Sequence, residues 1–410
     1  MKLLIKTSYL FILIFIFSCN EDKTELGLKT GKWRGEITVQ NNRIPFNFEV
    51  LKNKGTYKIN LINGDEVLEI DDINIIGDSL FFNMHIFDIS IKAKIKNDSL
   101  TGNYTKNYAQ DYILPFKAVY GKGSRFDYVI SSHDFNGIWE TTFVTKEGKE
   151  TPAIGIFKAE NDILKGTFLT KTGDYRYLDG YTNKDTMFLY TFDGNHIYKF
   201  KAFKQNDSLL RGEYWSGKTG YKTFVSRKNK HAKLPNANEL TYLKEGYDKI
   251  EFSFPGLDGS QISLNDEKYQ NKVVILQILG TWCPNCMDET KFYAGWYRKN
   301  KDEGVEIIGL AYENKPDFEY AKKRVLTMKE KLNVDYDFVI AGTSSTKSAS
   351  ASLPMLHKVI SFPTSIIIDK KGNVRRIHTG FNGPATGIYY EEFVDDFNSF
   401  IKQLTEEQGS

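Results

Sequence analysis

The residues of this 410-residue chain best suited to chemistry are two cysteines three positions apart, in Gly280-Thr-Trp-Cys-Pro-Asn-Cys286. Before them Val273 to Leu279 is a nearly continuous apolar run, the pattern of a strand buried on both faces. After them Met287 to Lys301 reads as a helix. A C-x-x-C at such a junction sets Cys283 at a helix N-terminus, where backbone N–H groups and the dipole favour its thiolate. In such settings a thiol pKa falls from ~8.5 to between ~3.5 and ~7.5. Cys283 is then the group that attacks a substrate disulfide, and Cys286, one turn along, resolves the mixed disulfide by attacking back. Two plainer readings compete. Half a zinc site needs two further ligands, and no second cysteine pair exists. A purely structural bridge closing so small a loop would stabilise little.

The third cysteine, Cys19, closes a different kind of segment. Lys2 and Lys6 precede an apolar run from Leu10 to Phe17, and Ser18 follows. The run is shorter than the ~20 residues needed to span a bilayer and fits a secretory signal. A small residue directly before cysteine resembles a bacterial lipoprotein lipobox. The resemblance implies removal of residues 1–18, lipid attachment at Cys19 and a tether over 19–29, several acyl chains holding the protein on a membrane. The formal charge of +3 becomes +1 without residues 1–18, with 53 basic against 52 acidic residues left. Such interleaved charge gives no electrostatic reason to expect a nucleic-acid partner. With 29 Phe and 24 Tyr the chain is not mainly disordered, and with 3 Cys it is not a disulfide-stapled scaffold.

Two long regions must position these groups. The first, residues 30–228, alternates apolar and polar residues in short runs, such as Ile89-Ser-Ile-Lys-Ala-Lys-Ile95, separated by Asn, Asp, Gly and Ser. It is also duplicated. Gly31-Lys-Trp33 recurs as Gly137-Ile-Trp139, and Asn97-Asp-Ser-Leu100 recurs as Asn206-Asp-Ser-Leu209. We expect one β-unit over 30–122 and another over 134–228, each of about eight antiparallel strands, as tandem lipocalin-like barrels or curled sheets. Sandwiches are the alternative. Aromatics are expected to fill their interiors, and no metal-type spacing occurs in them.

A polar linker over 229–249 leads to the second region, residues 250–405. There strands at Val273–Leu279, Val305–Ala311, Phe338–Ile340, Thr364–Asp369 and Val374–His378 alternate with helices, including Asp317–Leu332 and a final amphipathic one. The Ser/Ala-rich stretch Ser344–Ser352 reads as mobile. The order β-α-β-α-β-β-α, with a dithiol after the first strand, is a thioredoxin-type α/β layout.

Gly280 to Cys286 together with Ser361-Phe-Pro-Thr364 resemble the TlpA/ResA-type thiol–disulfide oxidoreductases of the thioredoxin superfamily, over about residues 250–405. The resemblance implies that Trp282 shields the dithiol, Cys283 is the nucleophile, Cys286 resolves, and Pro363 follows Phe362 in a cis peptide beside them. It also implies that the redox-active disulfide is the only cofactor. Relatives often carry proline directly before the second cysteine; here Pro284 comes first and Asn285 second. Gln277 stands where thioredoxin has a buried acid, so Glu289 or Glu313 is the candidate for proton transfer, both otherwise plain surface or capping carboxylates. Met355, His357 and Lys358 precede the cis-proline loop and shape its rim. Gly280 stands where a peroxide-reducing relative has threonine, which disfavours that activity. The implied function is a lipid-anchored enzyme of the bacterial cell envelope, acting as reductase on disulfides of exported proteins, with electrons from a membrane dithiol donor. The rival expectation is an envelope binding or assembly protein whose β-units dock a partner.

Overall fold

The computed structural model describes residues 27–127 and 133–408. Cys19, the signal segment and most of the expected tether lie outside the described residues.

The first sheet holds nine strands: β1 (Gly31–Val39), β2 (Asn42–Asn53), β3 (Thr56–Asn63), β4 (Glu66–Ile70), β5 (Ile73–Ile76), β6 (Ser79–Asn83), β7 (Ile89–Lys96), β8 (Ser99–Lys106) and β9 (Ile113–Tyr120). It is an antiparallel meander in which β1 pairs with both β2 and β9, so the sheet curls and its edges are β4 and β5. The second holds β10 (Gly137–Val144), β11 (Glu150–Glu160), β12 (Ile163–Thr170), β13 (Gly173–Asp174), β14 (Leu178–Asn183), β15 (Thr186–Phe192), β16 (Ile197–Asn206), β17 (Leu209–Ser216) and β18 (Gly220–Lys228). Here β12 pairs with β11 and with β14, which closes a barrel and leaves β13 as a short flap on β12. The two copies thus differ: one is an open curled sheet, the other a closed barrel. The ninth strand of each was not expected, because β5 and β13 are only four and two residues long, too short to show a period.

Alternation drives both sheets. In β7 Ile89, Ile91, Ala93 and Ile95 are buried while the residues between them face outward. The repeated tryptophans occupy matching places. Trp33 and Trp139 are both fully buried, and each indole N–H donates to the carbonyl four residues earlier, Lys29 O and Phe135 O, at 2.9 Å. We expect Trp33→Phe and Trp139→Phe to cost similar amounts, about 1–2 kcal/mol each, from one lost buried hydrogen bond and some volume. Urea denaturation checks this; strongly unequal costs would mean that the two copies use their tryptophans differently.

The units interlock. Phe192, at the end of β15, packs its ring 4.3 Å from Phe46 and 5.9 Å from Tyr104 of the first sheet. Buried Arg125 bridges the copies, donating to Pro45 O at 2.9 Å and to Asp179 at 3.2 Å.

Residues 229–249 contain no helix or strand. The hairpin β19 (Ser253–Pro255) and β20 (Gln261–Ser263) then leads into an α/β domain. Its sheet runs β23-β22-β21-β24-β25, from β21 (Val273–Leu279), β22 (Val305–Glu313), β23 (Asp337–Thr343), β24 (Thr364–Ile368) and β25 (Val374–Thr379). The first three are parallel, and β24 runs antiparallel to both of its neighbours, β21 and β25. Around it lie α1 (Pro284–Asn300), α2 (Phe318–Leu332), α3 (Thr346–Ser352) and α4 (Ile388–Glu406). Every residue of central β21 is buried, Gln277 included, as its nearly continuous apolar run requires. The Ser/Ala-rich stretch carries α3: Ser345 caps it, accepting from Lys347 N and Ser348 N, and Ala349 anchors it in the core. Among the described residues no helix is long and apolar enough to cross a membrane.

Candidate active site

β21 ends at Leu279 and α1 begins at Pro284, so Gly280 to Cys283 form the turn between them. Cys283 is the N-cap of α1, and its Sγ accepts from Cys286 N at 3.2 Å. Pro284 occupies the first helical turn, where its missing N–H costs nothing. Cys283 and Cys286 are joined as a disulfide with Cα atoms 5.2 Å apart. Cys286 is fully buried, whereas Cys283 keeps 7% of its surface, so the first sulfur is the one nearer solvent. The Phe362–Pro363 peptide is cis, and Phe362 O lies 3.7 Å from Cys283 Sγ. Trp282 packs edge-on to Phe362, with ring centroids 5.5 Å apart, and its indole donates to Tyr312 O at 2.8 Å. A side chain at Gly280 would sit 2.2 Å from Trp282 Nε1 and 2.8 Å from Tyr312 O, so the glycine is what lets the tryptophan fold over the turn. Of the expected rim residues Met355 is buried, while exposed His357 stacks on Tyr242 with centroids 4.7 Å apart.

Neither candidate acid is the surface carboxylate that sequence favoured; both are buried. Glu313 accepts from Thr281 N and from Thr281 Oγ1, each at 2.8 Å, which ties it to the turn before the dithiol. Burial pushes its carboxyl up to about 7. Glu289 lies one helical turn beyond Cys286 on the same face of α1. It accepts from Gln277 Nε2 and from Ser365 Oγ, each at 2.9 Å. Gln277 Oε1 in turn accepts from Tyr336 at 3.0 Å, and Ser365 Oγ from Tyr293 at 2.9 Å. Burial pushes the Glu289 carboxyl up to about 8, against those two hydrogen bonds.

The structure also brings to the dithiol a set of residues that sequence reasoning missed, all from the second β-unit. Asn195, in the β15–β16 turn, donates to Trp282 O at 2.7 Å. Asp174, in β13, accepts from Asn285 Nδ2 through its carbonyl at 3.1 Å and from Gly383 N through Oδ2 at 2.5 Å. Arg176, its side chain wholly buried, forks onto Asp288 with Nε–Oδ2 and Nη2–Oδ1 both at 2.7 Å. It also reaches Asp193 at 2.8 Å and Glu66 of the first sheet at 2.8 and 2.9 Å. Glu66 further pairs with Lys291 at 2.8 Å. One guanidinium thus joins both β-units to the helix that starts at the dithiol. Burial lifts the Asp288 carboxyl above its usual range even against Arg176, whereas for Glu66 Arg176 and Lys291 outweigh burial and hold it below. The only signal in sequence was a difference between the copies: where the second has polar Asp193-Gly-Asn-His196, the first has apolar Ile86 and Phe87.

The redoxin family model matches residues 233–390. Thiol-disulfide oxidoreductase ResA of Bacillus subtilis (strain 168) is 26% identical over 160 residues, covering 39% of this chain and 77% of that protein. The ResA of Bacillus thuringiensis subsp. konkukian (strain 97-27) is 30% identical over 160 residues, covering 39% of this chain and 78% of that protein. The solution structure of a putative protein disulfide isomerase from Bacteroides thetaiotaomicron aligns with a TM-score of 0.30 at 20% identity, covering 40% of this chain and 92% of that one.

Proposed function

This chain belongs to the ResA/TlpA-type thiol–disulfide oxidoreductases of the thioredoxin superfamily, and on that premise we propose that it works as a lipid-anchored reductase of disulfides in exported proteins, through Cys283 and Cys286. The observation that carries the reading is Cys283 at the N-cap of α1, its sulfur 3.2 Å from Cys286 N and 3.7 Å from Phe362 O. A backbone N–H and a helix N-terminus stabilise a thiolate there. The disulfide form seen here is the oxidised end of the cycle.

In the reducing direction the Cys283 thiolate attacks one sulfur of a substrate disulfide. A mixed disulfide forms, the substrate S–S bond breaks, and the leaving thiolate takes a proton. The Cys286 thiolate then attacks Cys283 Sγ, restores the internal disulfide and releases the second substrate thiol. Two electrons pass from the enzyme dithiol to the substrate, and a membrane dithiol donor returns them. Trp282, Pro284, Phe362 and cis-Pro363 wall the sulfurs. Glu289, one turn behind Cys286 in a dry site, takes the Cys286 proton, while Glu313 holds the turn. Attachment at Cys19 keeps the domain at the membrane.

Cys286→Ser is expected to stop the cycle after the first attack and to accumulate mixed disulfides through Cys283, visible by non-reducing electrophoresis and lost on adding Cys283→Ser. If the wild type turns over no peptide disulfide and Cys286→Ser traps nothing, the reading fails. A Cys283–Cys286 potential near ~−270 mV fits a reductase, and one near ~−120 mV would make the protein an oxidant instead.

A further inference from the structure

The dithiol turn is gripped from outside its own domain. The Trp282–Cys283 peptide is held at both ends: Cys283 N–H donates to Gly280 O at 3.1 Å, and Trp282 O accepts from Asn195 Nδ2 at 2.7 Å. The first bond is internal to the turn, whereas the second comes from the far end of the closed barrel. The turn that presents Asn195 is itself firmly built. Asp193 Oδ1 accepts from Asn195 N at 3.1 Å and from His196 N at 2.6 Å, and Tyr104 of the first sheet donates to Gly194 O at 3.2 Å.

The amide of Asn195 has a fixed sense. Its Oδ1 accepts from Lys106 Nζ of β8 at 2.6 Å. An ammonium has donors only, so the amide oxygen must face Lys106 and the amide nitrogen must face the Trp282 carbonyl. Burial lowers Lys106 to about 8, with Asp193 acting the other way, so the side chain is mainly an ammonium at neutral pH. A chain of contacts therefore runs from Lys106 in the first β-unit, through Asn195 in the second, to the peptide that carries Cys283.

We propose that the duplicated β-region completes the dithiol site, with Asn195, oriented by Lys106, as a positioning residue that holds the Trp282–Cys283 peptide and so tunes Cys283. This rests on Cys283 being the nucleophile. The physical reason is geometric. Pinning the carbonyl fixes the peptide plane and with it the direction of the Cys283 Cα–Cβ bond, which keeps Sγ over Cys286 N. With the carbonyl released, the sulfur wanders, the N-cap contact weakens and the thiolate loses stabilisation. Because the thiolate belongs to the reduced form, its loss shifts the couple toward the disulfide.

The test uses the full-length protein carrying Asn195→Ala, Lys106→Met or Lys106→Arg. Two quantities are read: the equilibrium of the dithiol with glutathione, and the pH dependence of Cys283 alkylation in the reduced protein. Asn195→Ala is expected to move the equilibrium three- to tenfold toward the disulfide, about 14–30 mV at 29.6 mV per decade, and to raise the apparent pKa of Cys283. Lys106→Met should shift both in the same direction by less, and Lys106→Arg, which keeps a charged donor, should restore wild-type values. A folded Asn195→Ala protein with both quantities unchanged overturns the proposal. If that variant does not fold, the lysine pair decides, and equal values for Lys106→Met and Lys106→Arg overturn it. Disulfide exchange that survives Cys283→Ser would instead overturn the assignment of the nucleophile.

Discussion

Arg176→Met is expected to cost about 3–5 kcal/mol, because removing one partner of a buried ion network strands the others. Asp288, Asp193 and Glu66 would be left facing each other in a region where the Arg176 side chain has no exposed surface and theirs have 0–8%. Methionine fills most of the volume, so packing contributes little to the difference. The loss should appear as a lower denaturation midpoint and as faster hydrogen exchange across Asp193–His196 and Cys283–Glu289, the segments that the network presses together. Arg176→Lys should lie between, since an ammonium cannot fork onto Asp288 and reach Glu66 and Asp193 together.

The sign of the pH dependence separates charge from packing. In the wild type Glu66 and Asp193 are held below the usual carboxylate range, Glu66 by Arg176 and Lys291, Asp193 by His196 and Arg176, all against burial. Their contribution is present at neutral pH and is lost as pH falls through those depressed values. Without Arg176 only Lys291 still opposes burial at Glu66 and only His196 among the named cations at Asp193, so both folded pKa values rise. The variant then loses part of the contribution that the wild type has at neutral pH. The deficit of Arg176→Met should therefore shrink on going from about pH 8 to about pH 4. A deficit that stays constant over that range would mean that the guanidinium acts through shape.

Much of this architecture was legible because its causes are local. Ile89 to Ile95 alternates at period two, Val273 to Leu279 is apolar but for Gln277, and Cys283-Pro-Asn-Cys286 sits between a buried strand and a helix. The repeat of Gly-x-Trp carried the duplication, since each tryptophan closes the same four-residue hydrogen bond. What was not legible depends on distance along the chain. Arg176 meets Glu66 across 110 residues and Asp288 across 112, and a lone arginine between two tyrosines announces neither. Asn195 reads as an ordinary turn residue until Trp282, 87 positions away, is set against it. Closure of one copy and not the other turns on whether β12 and β14 meet, a matter of loop geometry that strand patterns do not carry. Glu289 was named as a candidate acid, but its burial follows from the partners Gln277 and Ser365, which come from two different strands.

Glu289→Gln is expected to slow attack by Cys286 on the mixed disulfide by about 10²-fold above pH 8, where the wild-type carboxyl is ionised, and by less at neutral pH, the full range being that for loss of one general base. The argument starts from Gln277. Thioredoxin has an acid at that strand position; here the amide is neutral and instead donates to a carboxylate supplied by the helix, 2.9 Å away. Both oxygens of Glu289 face uncharged donors, Gln277 and Ser365, and behind these stand the phenols of Tyr336 and Tyr293. Burial outweighs these two neutral donors, so the carboxyl stays neutral until about pH 8. As the base for Cys286 it becomes effective as pH rises through that value, and the resolving step of the wild type should climb accordingly. In Glu289→Gln that limb should vanish, leaving only the slower titration of the Cys286 thiol itself. Single-turnover measurements from preformed mixed disulfide read this step directly. Stability should move the other way. A carboxyl raised in the folded state contributes fully below its unfolded value near 4.5 and loses that contribution as pH rises through about 8. Glutamine does not titrate, so relative to the wild type the variant should gain stability progressively from about pH 4.5 to about pH 8, by on the order of 3–5 kcal/mol in all. A variant that keeps the wild-type pH–rate limb would remove Glu289 from the mechanism. Loss of the limb would place the proton of the resolving step on this carboxyl, whereas higher alkaline stability reports its burial alone, which a merely structural role would share.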